Sequence, residues 1–259
     1  MSERDAPSPA PLPPVIGHRG AAAHAPENTL AALSQARALG CRWVEFDVRL
    51  TADDELILLH DARLERTTDG NGKAAALPLA TIRRYDAGSW FAPAFAGERV
   101  PTLAEALSRL GELGLGANIE VKAERGRARR TGERVAAMVA RAWPPALPPP
   151  ILSSFLLPAL SGARAEAPEL ARGLLFRTIP KNWLVVAMKF DCATIHADQR
   201  FLNPAIVAEI RRLGYSLLAY TVNDPVRARS LFDWGVTAVF SDLPDAVLAA
   251  AGVRQGAVC

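Results

Sequence analysis

A regular alternation of short apolar, β-branched segments with helical patterns runs along most of the chain and restricts the fold more than any other feature. Strands are predicted over residues 15–18, 43–47, 117–121, 150–153, 172–176, 192–196, 216–220 and 237–240. Helices are predicted over residues 28–39, 102–113, 126–142, 156–166, 181–189, 203–213, 224–234 and 244–251. Such alternation indicates βαβ units and a parallel sheet. This many repeats in 259 residues predict an α/β fold of the (β/α)8 TIM-barrel type, with a doubly wound open sheet as the competing architecture.

One apolar segment, residues 55–60, does not fit the parallel repeat. It follows the preceding strand too closely, because parallel neighbours need a crossover of about a dozen residues or more. We therefore expect it to pair antiparallel with residues 43–50 and to bring His60 close to the level of Asp47. Residues 61–101 are punctuated by Gly and Pro and have no place in the repeat. They are expected to form a small insertion over the C-terminal mouth of the barrel.

The composition fits a globular chain, with 50% hydrophobic and 22% charged residues. The predicted organisation is a flexible Pro-rich tail over 1–14, a single TIM-barrel catalytic domain over 15–251 and a tail over 252–259. The sequence contains no apolar run of about 18 residues or more, so no stable membrane insertion is expected.

The location and the partners are indicated by what the sequence lacks. The first residues, MSERDAPSPAPLPP, have no apolar core of a secretory signal, and the three cysteines are scattered without zinc-site spacing. Both features predict a reducing, cytoplasmic location. The net charge is only +3, and the Arg-rich run at 125–134 contains no aromatic residues for base stacking, so no nucleic-acid partner is expected. The sequence carries no indication of an oligomeric state.

Ionisable residues gather where the strands of the first half of the predicted barrel end. Alternate residues of a strand share a face, so pairs at i and i+2 point to the same side. The C-terminal ends of barrel strands carry the chemistry of this fold. The residues that meet these conditions are His18, Arg19, Glu45, Asp47, His60, Glu120 and Lys122.

The three carboxylates of this group would repel one another inside a barrel unless a cation lay between them. The simplest resolution is one hard, oxygen-liganded divalent cation held by Glu45, Asp47 and Glu120.

The basic residues of the group indicate an anionic ligand. Arg19 and Lys122 add positive charge, and a phosphate suits the bidentate geometry of arginine. His18 and His60 supply the general acid and base that cleavage of a phosphodiester requires. The group as a whole therefore predicts metal-assisted phosphodiester chemistry.

An ordered set of motifs runs along the chain. They are HRG (18–20), APENT (25–29), EFDV (45–48), LLHD (58–61), LERTTDG (64–70), IEVK (119–122), LSSF (152–155), YTVN (220–223) and GVTAVFSD (235–242). From about residue 15 to 243 the chain thus resembles the glycerophosphodiester phosphodiesterase family, and in particular it looks like the bacterial cytosolic member linked to glycerol-3-phosphate uptake.

The resemblance implies a TIM barrel of the PLC-like phosphodiesterase type and a small-molecule substrate. It implies hydrolysis of glycerophosphodiesters, such as glycerophosphocholine or glycerophosphoethanolamine, to sn-glycerol 3-phosphate and an alcohol. The implied roles are Mg²⁺ or Ca²⁺ on Glu45, Asp47 and Glu120, general acid–base catalysis by His18 and His60, and phosphate binding by Arg19 and Lys122.

Two residues of the ENT motif have two readings. The resemblance implies that Glu27 and Asn28 position the metal ligands and His18 without binding the metal themselves. Alternatively, Asn28 is a suitable cap for the first helix. Tyr220 stands where many relatives have Trp, which bears on substrate preference and not on the type of reaction.

Two other functions remain open. One is a lysophospholipase D-type phosphodiesterase on the same barrel, for which Trp90, Phe91 and Phe95 of the insertion are suitable apolar contacts. The other is a non-catalytic barrel that binds a phosphate ligand, which would need no acid–base pair.

Overall fold

The computed structural model describes residues 11–252 of the chain. The strands are β1 (Val15–Gly17), β2 (Trp43–Leu50), β3 (Leu56–Leu58), β4 (Gly116–Val121), β5 (Ile151–Ser154), β6 (Ala171–Phe176), β7 (Cys192–Asp198), β8 (Ser216–Tyr220) and β9 (Ala238–Ser241). The α-helices are α1 (Leu30–Ala38), α2 (Leu79–Ile82), α3 (Leu103–Leu113), α4 (Ala128–Ala142), α5 (Leu157–Glu166), α6 (Trp183–Lys189), α7 (Pro204–Arg212), α8 (Pro225–Trp234) and α9 (Pro244–Ala250).

The parallel strands close into a barrel. They follow the order β1, β2, β4, β5, β6, β7, β8, β9, and β9 pairs with β1 through Ile16 and Phe240. This closure confirms the prediction of a (β/α)8 barrel, and the alternative of an open doubly wound sheet is wrong.

The extra strand β3 pairs antiparallel with β2, as its short connection predicted. β1 contacts β2 only at Gly17 and Val44, which leaves the later part of β2 free to pair with β3. The Leu59 amide donates to the Asp47 carbonyl at 3.1 Å, and this bond places His60 beside the end of β2.

The helices form where apolar periodicity and end signals coincide. Helix α3 is an example: Thr102 and Glu105 form a capping box at its start. It buries Leu107 and Leu110 against the barrel and ends at Gly114, whose φ of +66° is a left-handed conformation that glycine adopts readily. None of the helices among residues 11–252 is long and apolar enough to span a membrane.

Side chains fill the N-terminal half of the barrel interior and leave the C-terminal half for the site. Ile16, Trp43, Ile151 and Phe240 belong to one buried interior cluster. A Cβ on Gly116 would lie 2.4 Å from the Trp43 ring, so only glycine leaves room for this large side chain. The interior is therefore packed below the candidate active site rather than open.

Residues 61–101 contain only α2 and two short 3-10 turns, at Ala74–Ala76 and Pro93–Phe95. They enclose a separate small core that includes Leu64, Ile82 and Val100. Of the tails predicted over 1–14 and 252–259, residues 1–10 and 253–259 lie outside the described residues. The division into a single catalytic domain with two tails stays a prediction.

Candidate active site

Three buried carboxylates lie together inside the C-terminal half of the barrel. Glu45 and Asp47 share the inner face of β2, and Glu120 is the register partner of Asp47 on β4. One carboxylate oxygen from each residue lies within 4.8 Å of the other two. The side chains that the sequence grouped as metal ligands are thus brought together.

The environment of these carboxylates is electrostatically crowded. Burial, together with the charges of Asp47 and Glu120, raises the pKa of Glu45 well above its usual range. Burial also raises the pKa of Glu120 to about 7, although Lys122 opposes this shift. Burial acts on Asp47 as well, but the charges of Lys122 and Arg19 outweigh it and lower the pKa of Asp47.

The donor set fits a hard divalent cation. Glu45 Oε1 is buried and has no hydrogen-bond partner among residues 11–252. All three groups offer oxygen, and Mg²⁺ and Ca²⁺ prefer carboxylate oxygen ligands. An unpartnered carboxylate oxygen between two other carboxylates is therefore consistent with a metal site.

His18 follows β1 and is held by a carboxylate that the sequence argument did not single out. Its Nδ1 bonds Asp242 Oδ1 at 2.7 Å, and its Nε2 lies 3.9 Å from Glu45 Oε2. Asp242 is fixed in turn by Asn223, whose amide donates to Asp242 Oδ2 at 2.8 Å. The bond at Nδ1 favours a proton on that nitrogen and leaves Nε2 facing the carboxylates.

His60 is held in the same way by the carboxylate of the next residue. Its Nδ1 bonds Asp61 Oδ1 at 2.7 Å. Burial lowers the pKa of His60, and the charges of Arg19 and Lys122 act in the same direction, whereas Asp47 and Asp61 oppose the shift.

Arg19 lies in the tight turn between β1 and α1. Its φ is +50°, and its amide donates to Glu45 Oε2 at 3.0 Å. The neighbouring Gly20 has no space for a side chain, because a Cβ there would lie 2.6 Å from the backbone of Ala32. This turn directs the guanidinium so that its Nε lies 3.5 Å from Asp47 Oδ2.

Lys122 lies at the end of β4, on the same face as Glu120. Its Nζ lies 3.3 Å from Asp47 Oδ1 and forms an ion pair with Glu120. Both basic residues predicted to bind phosphate therefore lie next to the carboxylates, as a shared anionic ligand requires.

The two readings of Asn28 are separated by its hydrogen bonds. Its side chain donates to Asp47 Oδ2 at 2.9 Å and accepts from the Asp47 amide at 3.0 Å. The cap of α1 is instead Thr29, whose Oγ1 accepts from the Ala32 amide at 3.2 Å. The alternative that Asn28 caps this helix is therefore wrong.

Glu27 belongs to a chain of ion pairs that joins the insertion to the barrel. It accepts from Arg19 Nη1 at 2.7 Å and from Arg66 Nη1 at 2.7 Å. Arg66 also donates from its Nε to Asp61 at 2.6 Å, so one arginine connects the partner of His60 with the partner of Arg19. Sequence reasoning missed Arg66, although it lies in the LERTTDG motif.

Two adjoining cavities open at this end of the barrel. The inner cavity, of about 180 Å³, is lined by His18, Glu45, His60, Glu120 and Lys122 among others. The outer cavity, of about 540 Å³, shares His18 and Arg19 with it and is bordered by Trp90 and Phe91 of the insertion. The insertion thus forms one wall of the entrance.

Comparison with known proteins identifies the family. The family model described as "Glycerophosphoryl diester phosphodiesterase family" matches residues 18–246. A glycerophosphodiester phosphodiesterase of Caldanaerobacter subterraneus is 32% identical over 235 residues, covering 90% of this chain and 96% of the relative. A glycerophosphodiester phosphodiesterase of Bacillus subtilis is 32% identical over 247 residues, covering 89% and 83%.

Solved structures agree with this result. An Oleispira antarctica phosphodiesterase in complex with the product sn-glycerol-3-phosphate is 41% identical with a TM-score of 0.91, covering 93% of this chain and 97% of that chain. A glycerophosphodiester phosphodiesterase of Agrobacterium tumefaciens is 28% identical with a TM-score of 0.77, covering 92% and 100%. The alternative of a non-catalytic phosphate-binding barrel is therefore wrong. The chain is a phosphodiesterase enzyme that belongs to the glycerophosphoryl diester phosphodiesterase family.

Proposed function

We propose that this enzyme hydrolyses glycerophosphodiesters, such as glycerophosphocholine and glycerophosphoethanolamine, to sn-glycerol 3-phosphate and an alcohol. The observation that carries the proposal is the pair of imidazoles, each held at Nδ1 by a carboxylate, which line one cavity together with Glu45 and Glu120. The product named for the Oleispira antarctica relative supports the same substrate class.

In this mechanism Glu45, Asp47 and Glu120 hold one Mg²⁺ or Ca²⁺ ion. When bound, such an ion polarises a phosphoryl oxygen and offsets the charge that develops on it. Arg19 and Lys122 bind the phosphate through their positive charges and fix its orientation.

His18 and His60 exchange protons with the reacting groups. One Nε2 takes a proton from the nucleophile, which is water or the glycerol 2-hydroxyl; in the second case a cyclic phosphate forms and water then opens it to sn-glycerol 3-phosphate. The other Nε2 donates a proton to the oxygen of the departing alcohol, and each such transfer contributes about 10²–10⁴-fold to the rate. The carboxylates of Asp242 and Asp61 stabilise whichever ring becomes positively charged.

The acid–base pair is tested by substituting each histidine. We expect His18→Ala and His60→Ala each to lower kcat for glycerophosphocholine by about 100-fold or more while metal affinity is retained. The double variant should be little worse than the poorer single variant, because residues that act as a unit are not additive. On a nitrophenyl phosphodiester, whose leaving group needs no proton, only the variant that lacks the acid should recover.

The matched control is His24→Ala. His24 bonds Asp245 at 2.9 Å in the same region but does not line either cavity, so this variant should keep wild-type activity. Near wild-type kcat in either His18→Ala or His60→Ala would contradict the paired mechanism.

A lysophospholipase D-type activity is the second candidate, favoured by the aromatic wall of the outer cavity. Trp90 is 41% exposed and packs edge-on against Phe91. Turnover of lysophosphatidylcholine compared with glycerophosphocholine, with and without chelator, decides between the two substrates. The proposed function requires the higher kcat/KM for glycerophosphocholine and loss of turnover in chelator.

A further inference from the structure

Two buried polar side chains of the inner cavity have no part in the mechanism above. Asn118 on β4 is 1% exposed and His196 on β7 is 0% exposed, and both line that cavity. Each has a single side-chain partner: Asn118 Nδ2 donates to Ser153 Oγ at 2.9 Å, and His196 Nε2 bonds Thr194 Oγ1 at 2.8 Å. Asn118 Oδ1 and His196 Nδ1 have no hydrogen-bond partner among residues 11–252.

Such atoms are costly to leave unpaired. A buried donor or acceptor without a partner costs about 1–3 kcal/mol, and the great majority of buried polar atoms in folded proteins are paired. Asn118 and His196 line the same cavity, and each carries an unpaired atom, so the cavity is suited to a ligand that supplies the missing hydrogen bonds.

The His196 ring is held in place and is uncharged. Burial lowers the pKa of His196 to about 3, so its role is that of a neutral hydrogen-bonding group. The ring packs against Gly173, where a Cβ would lie 2.8 Å from both Cε1 and Nε2. With Thr194 fixing Nε2, the ring has little freedom to turn and satisfy Nδ1 elsewhere.

The position of Asn118 sets the distance to the phosphate site. Asn118, Glu120 and Lys122 alternate on one face of β4, so Asn118 lies about 7 Å deeper in the barrel than Glu120. A three-carbon chain attached to a phosphate at the level of Glu120 reaches this depth. Two apolar side chains of the cavity adjoin His196: Leu175 is its register partner on β6, and the centre of the Phe240 ring lies 5.3 Å from the centre of the imidazole.

We propose that Asn118 Oδ1 and His196 Nδ1 bind the free hydroxyls of the glycerol moiety and so select glycerol over unsubstituted alkyl groups. This inference rests on the proposed function with water as the nucleophile, because a glycerol 2-hydroxyl bound here would not attack the phosphorus. Asn118 Oδ1 only accepts, so a hydroxyl donates to it, and a second hydroxyl pairs with the neutral imidazole. The alcohol half of the substrate then lies in the outer cavity, beside Trp90 and Phe91.

Calorimetric binding to the metal-loaded enzyme tests this assignment. The two ligands are sn-glycerol 3-phosphate and propyl phosphate, which carries no hydroxyl. Wild type should bind sn-glycerol 3-phosphate at least about 10-fold more tightly, because unpaired polar groups penalise the analogue. Asn118→Leu and His196→Phe should each lose about 10-fold or more toward sn-glycerol 3-phosphate and much less toward propyl phosphate.

Two further variants keep the test decisive. The double variant Asn118→Leu/Ser153→Ala removes both ends of the Asn118–Ser153 bond, so no stranded serine hydroxyl complicates folding. Ser154→Ala is the matched control, because the Ser154 hydroxyl donates to the Val121 carbonyl and does not line the cavity. Its preference between the two ligands should equal that of wild type.

The outcomes separate this inference from the proposed function. Equal losses toward both ligands in the Asn118 and His196 variants, or equal affinities in wild type, would overturn the hydroxyl assignment alone. A wild-type enzyme that neither binds sn-glycerol 3-phosphate nor hydrolyses glycerophosphocholine would overturn the proposed function as well.

Discussion

At the scale of single residues, the orientation of His18 depends on Asp242. The carboxylate accepts at 2.7 Å from Nδ1, which keeps the proton there and leaves Nε2 free for proton transfer. In Asp242→Asn the amide can donate to Nδ1 instead, which favours the wrong tautomer. We expect kcat for glycerophosphocholine to fall by about 100-fold with little change in metal affinity.

Asp245→Asn provides the comparison for this prediction. Asp245 bonds a histidine at a similar distance, but that histidine is His24, outside both cavities. The control should keep wild-type kcat, and equal losses in both variants would contradict the specific role of Asp242.

Arg66 joins two supports of the site. It donates to Asp61 and to both oxygens of Glu27, so it restrains the partners of His60 and Arg19 at once. Lysine is a point charge and cannot reproduce these forked contacts. We expect both Arg66→Lys and Arg66→Met to lower kcat by about 10-fold, with unfolding stability lowered by no more than about 1 kcal/mol because the side chain is partly exposed.

Arg63→Met is the control for Arg66. Arg63 lies in the same insertion but pairs with the nearby Glu65 on the surface. Wild-type kinetics are expected for it, and wild-type kinetics in Arg66→Met would show that the ion-pair chain has no positioning effect.

That the proposed catalytic and metal-binding residues lie together could be predicted, because strand periodicity places them on one rim. The hydrogen-bond partners of these residues could not be predicted. Asp242 and Arg66 are distant from His18 and Glu27 in the sequence, and no local sequence pattern indicates that the fold brings them together. Asp242 meets His18 only when β9 closes the barrel beside β1. The sole advance indication was that both residues lie within the family motifs.

At the scale of helices and strands, two adjacent residues of the ENT motif have different roles: Thr29 caps α1, and Asn28 holds Asp47 on β2. Thr29→Ala removes the helix cap and should lower unfolding stability by about 1 kcal/mol. Asn28→Gly keeps the backbone at its φ of +58° but removes both bonds to Asp47. It should lower metal affinity about 10-fold with a smaller effect on stability, as titration and thermal unfolding would show.

The reverse pattern, with Asn28→Gly mainly unstable and Thr29→Ala mainly inactive, would contradict this division. Kinetics at saturating metal provide the internal check, because an effect on Asp47 alone should be partly recovered there.

Most element boundaries could be predicted from periodicity, but some ends depend on pairing. The strand predicted to end at His196 continues to Asp198, because Ala197 and Asp198 pair with β8. His196 is consequently buried in the barrel instead of lying at its rim. The insertion could not be predicted in detail, because side chains such as Asp86, which binds the amides of Gly88, Ser89 and Gly97, organise it without periodicity.

At the scale of the whole molecule, the carboxylates that are suited to bind a metal lower the stability of the metal-free fold. Ionised carboxyl groups at Glu45 and Glu120 are disfavoured in the folded protein, which raises both pKa values above those of the unfolded chain. Without metal, the free energy of unfolding therefore falls as the pH rises above about 4.5, the pKa of these groups in the unfolded chain. It stops falling once the pH has passed the pKa values of the folded protein.

Glu45→Gln separates the two effects. Gln keeps an oxygen for the Arg19 amide but removes the charge, so in chelator at pH 8 the variant should unfold at a higher temperature than wild type. The difference should shrink as pH falls toward 5. At saturating Mg²⁺ or Ca²⁺ the order should reverse, because about 100-fold excess over Kd stabilises the wild-type fold by about 2.7 kcal/mol and the variant lacks one anionic ligand. Unfolding temperatures measured at pH 5 and pH 8, with and without metal, test both expectations, and Glu112→Gln on the surface is the control. A Glu45→Gln variant less stable than wild type in chelator at pH 8 would contradict them.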